Sequence, residues 1–223
     1  MEKILLSWST GKDSAWSLHS LAGRNVVGLL TSFNTEAGRV AMHGVRRRLA
    51  EAQAELAGLP LWNVELPWPC SNADYEDRMR TVWNRAADSG VTHIAFGDLF
   101  LEDIRAYREK QLEGTGLEPL FPLWKLPTPA LAREMIASGL RAKIVCVDSR
   151  QLSPEFAGRD FDEALLNELP AQADPCGENG EFHTFVFSSP GWASPLEIVK
   201  GETIEREGFF YTDFATRILH DRH

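Results

Sequence analysis

Ile4-Leu5-Leu6-Ser7-Trp8-Ser9-Thr10-Gly11-Lys12-Asp13-Ser14 is the stretch whose reading decides the fold. An apolar run of strand length passes through small residues into a segment where Ala15, Leu18, Leu21 and Ala22 recur at helical spacing, and Gly23 stops it. A strand, loop and helix in that order aim backbone N–H groups and the positive end of the helix dipole at one place, which favours an anion such as phosphate. Ser9, Thr10 and Gly11 let the backbone come close to a ligand, Lys12 supplies charge, and Ser9 and Ser14 supply hydroxyls. The loop is not a Walker A loop, because the first glycine is missing and Asp13 follows the lysine where Ser or Thr would hold magnesium.

The alternation continues outward. Val26 to Phe33 reads as the second strand, and His43 to Ala57 as a helix with Val45, Leu49, Ala52 and Leu56 on one stripe. Leu61 to Leu66 is the third strand, followed by a helix from Asn72 that shows Tyr75, Met79, Val82, Trp83 and Ala86 on one face and ends at Gly90. Thr92 to Phe96 is the fourth strand, and Glu102 to Leu112 the next helix. Strands and helices in this order predict an α/β fold with a Rossmann-like parallel sheet. Glu118 to Trp124, with two prolines, reads as a rigid irregular stretch, and the boundary is placed there: one domain at 1–118 and a second at 119–223. Thr128-Pro129 opens a short helix to Ala137, Lys143 to Val147 is a strand, and Phe161 to Glu168 is a helix. Strands at Phe185 to Phe187, Leu196 to Val199 and Phe209 to Phe214 make the second domain a smaller α+β unit.

Composition narrows the function classes. The 223 residues include 23 Lys and Arg against 32 Asp and Glu, a formal charge of −9, with 43% hydrophobic and 25% charged residues. These values fit a soluble globular chain, and the acidic balance argues against general binding to nucleic acid or to an anionic membrane. The seven tryptophans are scattered rather than interleaved with basic residues, so they read as core and interface residues. Ile4 to Leu6 is too short for a signal core or a membrane span, and a cytoplasmic location is expected. Cys70, Cys146 and Cys176 form no CxxC pair, which leaves neither a disulfide framework nor a zinc knuckle.

Two further stretches carry chemistry. Gly97 to Glu109 begins at the carboxyl end of the fourth strand, where open α/β sheets bind ligands. Asp98 and Glu102 are its candidates for function, with Arg105 and Glu109 able either to position a substrate or to form an ordinary i,i+4 pair. Asp174 to Thr184 gathers a thiol, three carboxylates, an imidazole and two glycines with almost no apolar content, a composition foreign to core packing. Cys176 beside His183 can be imagined as a nucleophile, but no third orienting group follows from sequence. His43, Gly44 and Arg46 to Arg48 read as a solvated helix start, with guidance of an anionic substrate as the other reading.

The Ser9 to Ser14 loop resembles the SGGxDS loop of the PP-loop ATP pyrophosphatases, with Thr10 where that motif has a glycine. Together with Gly97 to Glu109, Glu118-Pro119-Leu120, Trp124, Glu134-Met135-Ile136, Ser138-Gly139-Leu140, Gly158-Arg159 and the Cys176 to Thr184 run, the chain resembles the diphthine–ammonia ligase (diphthamide synthase) family, bacterial branch. The resemblance implies a carboxylate activated by ATP as an acyl adenylate, pyrophosphate leaving, and ammonia displacing AMP. It implies that Ser9, Thr10, Gly11 and Ser14 hold pyrophosphate, with Lys12 offsetting its charge and Asp13 and Asp98 at Mg²⁺. Leu30, Thr31 and Ser32 would lie near adenine, with Gly97 beside the nucleotide. Glu178, Glu181 and His183 would handle ammonia, and Glu102, Arg105, Glu109, Cys176, Gly177, Asn179, Gly180 and Thr184 would surround the acceptor. Asn179 stands where the archaeal and eukaryotic ligases commonly have a second glycine, so the carboxylate is either diphthine on a protein or a small acid, for example in cofactor or cobalamin metabolism. Oligomeric state stays open, a homo-oligomer included. The competing readings are ATP-dependent sulfur transfer to tRNA, which wants working cysteines and a basic surface, and a nucleotide-sensing module without turnover.

Overall fold

A computed structural model describes residues 1–217. Its centre is β1 (Ile4–Ser7), which pairs in parallel with β2 (Val26–Asn34) on one side and β5 (His93–Ala95) on the other. β4 (Leu61–Leu66) extends the parallel sheet beyond β2, and β6 (Glu118–Leu120) extends it beyond β5. A two-residue β3 (Arg39–Val40) pairs antiparallel with the end of β2, completing six strands. Both faces of β1 are covered, as a parallel sheet requires. Leu5 packs into a core with Val64, Met79 and Trp83, while Ile4 and Leu6 point into a larger one.

That larger core also contains Ile144, Phe182 and Val186, which belong to a second sheet. β7 (Arg141–Asp148), β8 (Phe182–Ser188), β9 (Ile198–Arg206) and β10 (Phe209–Thr216) are antiparallel in the order β8-β7-β10-β9. The crossover helices of the first half are α1 (Lys12–Ser20), α2 (Arg47–Ala57), α3 (Asn72–Asp88) and α4 (Glu102–Leu112), and the second half adds α5 (Thr128–Ala137) and α6 (Glu163–Glu168). The fold is therefore the expected α/β architecture with a smaller antiparallel unit.

Five local readings need correction. Glu118–Leu120 is a strand: Glu118 N–H donates to Thr92 and the Leu120 carbonyl accepts from Phe96, so Pro119 turns its missing donor away from the ladder, a position an edge strand tolerates. The helix expected from His43 begins at Arg47, because β3 and a turn with Met42 and Gly44 at φ 64° and 67° occupy the preceding residues. The buried face of α2 carries Leu49, Ala50, Gln53 and Ala54, rotated from the apolar stripe read in the sequence. Thr128 does not cap α5, since its hydroxyl donates to Asp174 and Pro127 takes the N-cap position. β9 extends well beyond Leu196 to Val199, its charged residues hiding it from an apolar search while suiting an exposed edge.

Gln53 joins the two sheets. Its side chain is wholly buried; Oε1 accepts from Trp8 Nε1 at 2.8 Å, and Nε2 donates to the carbonyls of Thr10 at 3.1 Å and Val186 at 2.6 Å. Gln53→Leu keeps the volume but leaves Trp8 Nε1–H and the Val186 carbonyl without that partner. The expected loss, read from urea unfolding, is about 2–4 kcal/mol, and a loss below ~1 kcal/mol contradicts a clamp at Gln53.

Candidate active site

The loop after β1 is built by close approach. Thr10 takes φ 73°, a left-handed conformation that costs a β-branched residue about 1–2 kcal/mol. Its carbonyl is held from two sides, by Gln53 and by the Val186 N–H at 3.0 Å. Gly11 caps α1, and a Cβ there would stand 2.9 Å from His43 Cε1 and 3.2 Å from the Thr184 carbonyl. A Cβ on Gly97 would meet the carbonyl carbon of Asp13 at 3.1 Å. No side chain of the loop itself caps α1; Thr184 Oγ1, from β8, accepts the Lys12 N–H at 2.9 Å. Ser14 Oγ donates to the Gly11 carbonyl at 2.9 Å, and the Ser9 and Ser14 hydroxyls lie 3.3 Å apart.

Lys12 runs beneath this loop. It is 2% exposed, and Nζ donates to both Asp13 oxygens at 2.8 and 3.0 Å and to the Cys176 carbonyl. Burial opposes its charge, but Asp13, Cys176 and Glu178 together outweigh burial and hold the ammonium above its ordinary range. Burial holds the Asp13 carboxyl high in turn, with Lys12 opposing the rise. Lys12 thus ties the loop to residue 176 at the edge of the cleft.

The acidic loop divides its carboxylates between support and presentation. Asp174 Oδ2 accepts from the N–H groups of Cys176 at 3.0 Å and Glu178 at 3.1 Å, while its other oxygen accepts from Thr128. Glu181, 2% exposed, accepts from the Asp174 N–H at 2.7 Å and from Asn179 Nδ2 at 3.1 Å. Glu178 instead crosses to the first sheet, where Oε1 accepts the Leu99 N–H at 2.7 Å. Burial pushes its carboxyl up to about 7 against that hydrogen bond, and Asp13 and Asp98 add to the rise. Asp98 lies 3.6 Å from Arg108 Nε, with Oδ2 buried and lacking a hydrogen bond among the described residues. His43 Nδ1 lies 3.1 Å from the Thr184 carbonyl, and its ring sits 4.7 Å from that of His183. Burial lowers His43 to about 3, with His183 adding to the effect, and lowers His183 to about 4.

A cleft of about 1690 Å³ opens between the carboxyl ends of the parallel strands and the second sheet. Ser9, Lys12, Asp13, Ser14, Leu30, Ser32, Gly97 and Asp98 line it from the first half, and Cys176, Gly177, Glu178, His183 and Thr184 from the second. Other candidates fall elsewhere. Glu102 pairs with Lys125 at 2.9 Å on the surface, and Arg105 pairs with Glu109 at 2.8 Å while stacking on Phe121 and Trp124. Arg108 is the α4 residue that reaches the cleft. Thr31 turns away to donate to the Trp8 carbonyl at 2.7 Å. Thr10, Gly11 and Glu181 are not among the residues that line the cleft, nor are Asn179 and Gly180, the latter at φ 84° in the turn. The Cys176 thiol is buried against the Thr128 carbonyl and pushed up by that burial, which removes it as a nucleophile. Sequence reasoning missed Gln53, did not single out Arg108, and read His43 as part of a solvated helix start or a guide for an anionic substrate; for Gln53 the available signal was a long amide four residues beyond Leu49 on a helix face.

Fold and cleft define a PP-loop nucleotide-binding α/β enzyme. The family model described as the diphthamide synthase N-terminal domain matches residues 1–119, and that of the diphthamide synthase C-terminal domain matches residues 128–218. The chain belongs to the diphthamide synthase family and is an ATP-dependent ligase. It is 26% identical to the diphthine–ammonia ligase of Danio rerio over 219 residues, covering 88% of this chain and 86% of that one. It is likewise 26% identical to the diphthine–ammonia ligase of Homo sapiens over 220 residues, covering 88% and 82%. A crystal structure titled as a predicted subunit of tRNA methyltransferase from Methanocaldococcus jannaschii DSM is 17% identical, with a TM-score of 0.41, covering 69% of this chain and 81% of that one.

The buried titratable groups give opposed pH effects. The histidines fall from 6.5 to about 3 and about 4, so below 6.5 the unfolded chain binds protons that the folded chain refuses, and stability drops with acidification. Glu178 rises from 4.5 to about 7, so it contributes stability that is lost as pH rises through that window. In unfolding measurements between about pH 7 and about pH 5, His183→Asn is expected to lose less stability than the unaltered protein, and Glu178→Gln more. The reverse order contradicts these protonation states.

Proposed function

We propose that the enzyme activates a substrate carboxylate as its adenylate, releasing pyrophosphate, and that ammonia then displaces AMP to leave an amide. One observation carries this reading: Thr184 and Cys176 tie the acidic loop to the first turn of α1, so a phosphate-suited loop and the perturbed carboxylate of Glu178 face the same cleft. Ser9, Gly11 and Ser14 with the start of α1 suit a polyphosphate. Lys12 acts by positioning Asp13 and the acidic loop, in place of the direct charge compensation read from sequence. No group of three or more metal-ligating side chains is gathered among the described residues. A magnesium ion carried by nucleotide phosphates needs only one or two carboxylates, and the unpartnered Asp98 oxygen together with Asp13 fits that requirement. Mg²⁺ there would neutralise charge on the leaving phosphates.

Glu178 is the proton acceptor for ammonium in this reading, its carboxyl titrating near neutrality. The cleft exceeds the ~300–1,000 Å³ of an ordinary small-molecule site, which leaves room for an acceptor beside the nucleotide. Residues 1–118 would bind ATP and 119–223 would carry the acceptor and ammonia sites, with β6 straddling the join. The acceptor is diphthine on a protein or a small carboxylic acid, and the enzyme works in the cytoplasm; no helix among the described residues is long and apolar enough to cross a membrane. The cysteines do not favour sulfur transfer: Cys146 and Cys176 are buried, and burial raises the Cys146 thiol to about 11.

The test incubates protein, ATP, Mg²⁺ and ammonium with either the small-molecule or the macromolecular fraction of a host lysate, with Asp13→Ala as control. AMP and pyrophosphate formed with one fraction support the reading and indicate the acceptor class. ADP and phosphate, or ATP binding without turnover, overturn it. Amide formation is expected to rise with pH as Glu178 loses its proton near 7. Glu178→Gln should lower that rate by about 10²–10⁴-fold and flatten the rise.

A further inference from the structure

His43 has no part in the ligase reading above, yet its orientation is tightly defined. The Thr184 carbonyl can only accept, so Nδ1, 3.1 Å away, carries the ring proton and Nε2 keeps the lone pair. A Cβ on Gly11 would come within 2.9 Å of His43 Cε1, the atom between the two nitrogens, which sets this part of the ring over the start of α1. Among the described residues Nε2 makes no hydrogen bond, and the His43 ring forms part of the cleft wall. Burial keeps the imidazole neutral, and the facing groups His183 and Lys12 reinforce this. A lone pair beside a phosphate loop repels anionic oxygen and attracts an N–H donor.

We propose that His43 Nε2 is the acceptor that binds and orients ammonia for attack on the acyl adenylate, with the His183 ring packed at 4.7 Å holding it in place. This inference rests on the ligase reading. The nitrogen lone pair forms the C–N bond, the bond between the acyl carbon and the AMP oxygen breaks, and AMP leaves with that electron pair. The proton shed by nitrogen passes through water in the cleft toward the Glu178 carboxylate, while the neutral His43 Nε2 keeps the hydrogen bond that aims the ammonia. His43 is thereby a catalytic residue contributed by the turn after β3.

The discriminating variant is His43→Asn, whose amide N–H can still donate to the Thr184 carbonyl but which places nothing at Nε2. With the lysate fraction that supports AMP formation by the unaltered enzyme, the first-turnover burst of pyrophosphate should stay within about threefold while AMP release and ¹⁵N incorporation from ¹⁵N-ammonium fall together by about tenfold or more. Hydroxylamine, a nucleophile that needs no base near neutral pH, should restore product, and His43→Gln, with an amide oxygen able to reach the Nε2 position, should recover part of the ammonium reaction. A pyrophosphate burst that falls in proportion to ¹⁵N incorporation, or no change in either, overturns the proposal. An unaltered enzyme that forms no AMP with either fraction overturns the ligase reading itself. A test independent of turnover uses imidazole ¹⁵N resonances: replacing sodium chloride by ammonium chloride should shift His43 Nε2 selectively, and no shift overturns the ammonia site.

Discussion

The Thr10 carbonyl accepts hydrogen bonds from Gln53 Nε2 on α2 and from the Val186 N–H on β8. Those two bonds lock a left-handed threonine at the tightest point of the phosphate loop and stitch the first sheet to the second at the same point. Two net hydrogen bonds, each of about 0.5–1.5 kcal/mol, are of the size needed to offset the ~1–2 kcal/mol of a β-branched residue in that conformation. The loop therefore needs no glycine at Thr10, provided β8 is in place. The cap of α1 comes from the same strand, two residues earlier, at Thr184. A loop that sequence reads as a local strand-to-helix turn is in fact completed by residues more than 170 positions away.

The site concentrates charge where burial makes charge costly. Lys12, Asp13, Asp98, Arg108 and Glu178 all line one cleft, and the carboxyls are held high by lost hydration. Buried ion pairs of this kind are weak contributors to stability, because desolvation cancels much of the Coulomb attraction. Their presence is better understood through chemistry: a carboxyl near neutrality can exchange protons at cellular pH, whereas an ordinary glutamate cannot. Neutral histidines on the neighbouring wall add uncharged hydrogen-bonding groups to the cleft, which differ in character from the helix-end N–H donors after β1.

The acidic loop shows how one composition serves two purposes. Asp174 Oδ2 and Glu181 Oε1 accept from backbone and amide donors of the loop itself, and Asp174 Oδ1 accepts from Thr128 on α5, which makes the turn rigid without an apolar interior. That rigidity leaves Glu178 free to reach the Leu99 N–H across the cleft. Three carboxylates that look equivalent in the chain thus differ in surroundings, because Glu178 alone of the three lines the cleft.

Local patterning determined a great deal. β4, α4 and α5 lie where their periodicity and breakers put them, and β1 and β2 differ by single residues, since apolar spacing, glycine stops and N-terminal signals act within a few residues. The loop after β1 and the acidic loop were also legible as stretches that meet at one cleft, because small and charged residues with little apolar content have little use in a core. What depended on distant partners was not. Charged β9 and proline-bearing β6 are strands because an edge needs pairing on one side only, and α2 starts late because the β2–β3 hairpin claims the residues before it. Thr128, Gln53 and His43 each carry an ordinary polar side chain whose meaning appears only when Asp174, Val186 and Thr184 arrive from the other half. The sequence by itself determined the fold class and the residue types of the site; only the tertiary structure decided which carboxylates face the cleft and which imidazole stands over Gly11. Hydrogen bonds and burial are set by whichever atoms meet in space, and separation along the chain does not record that.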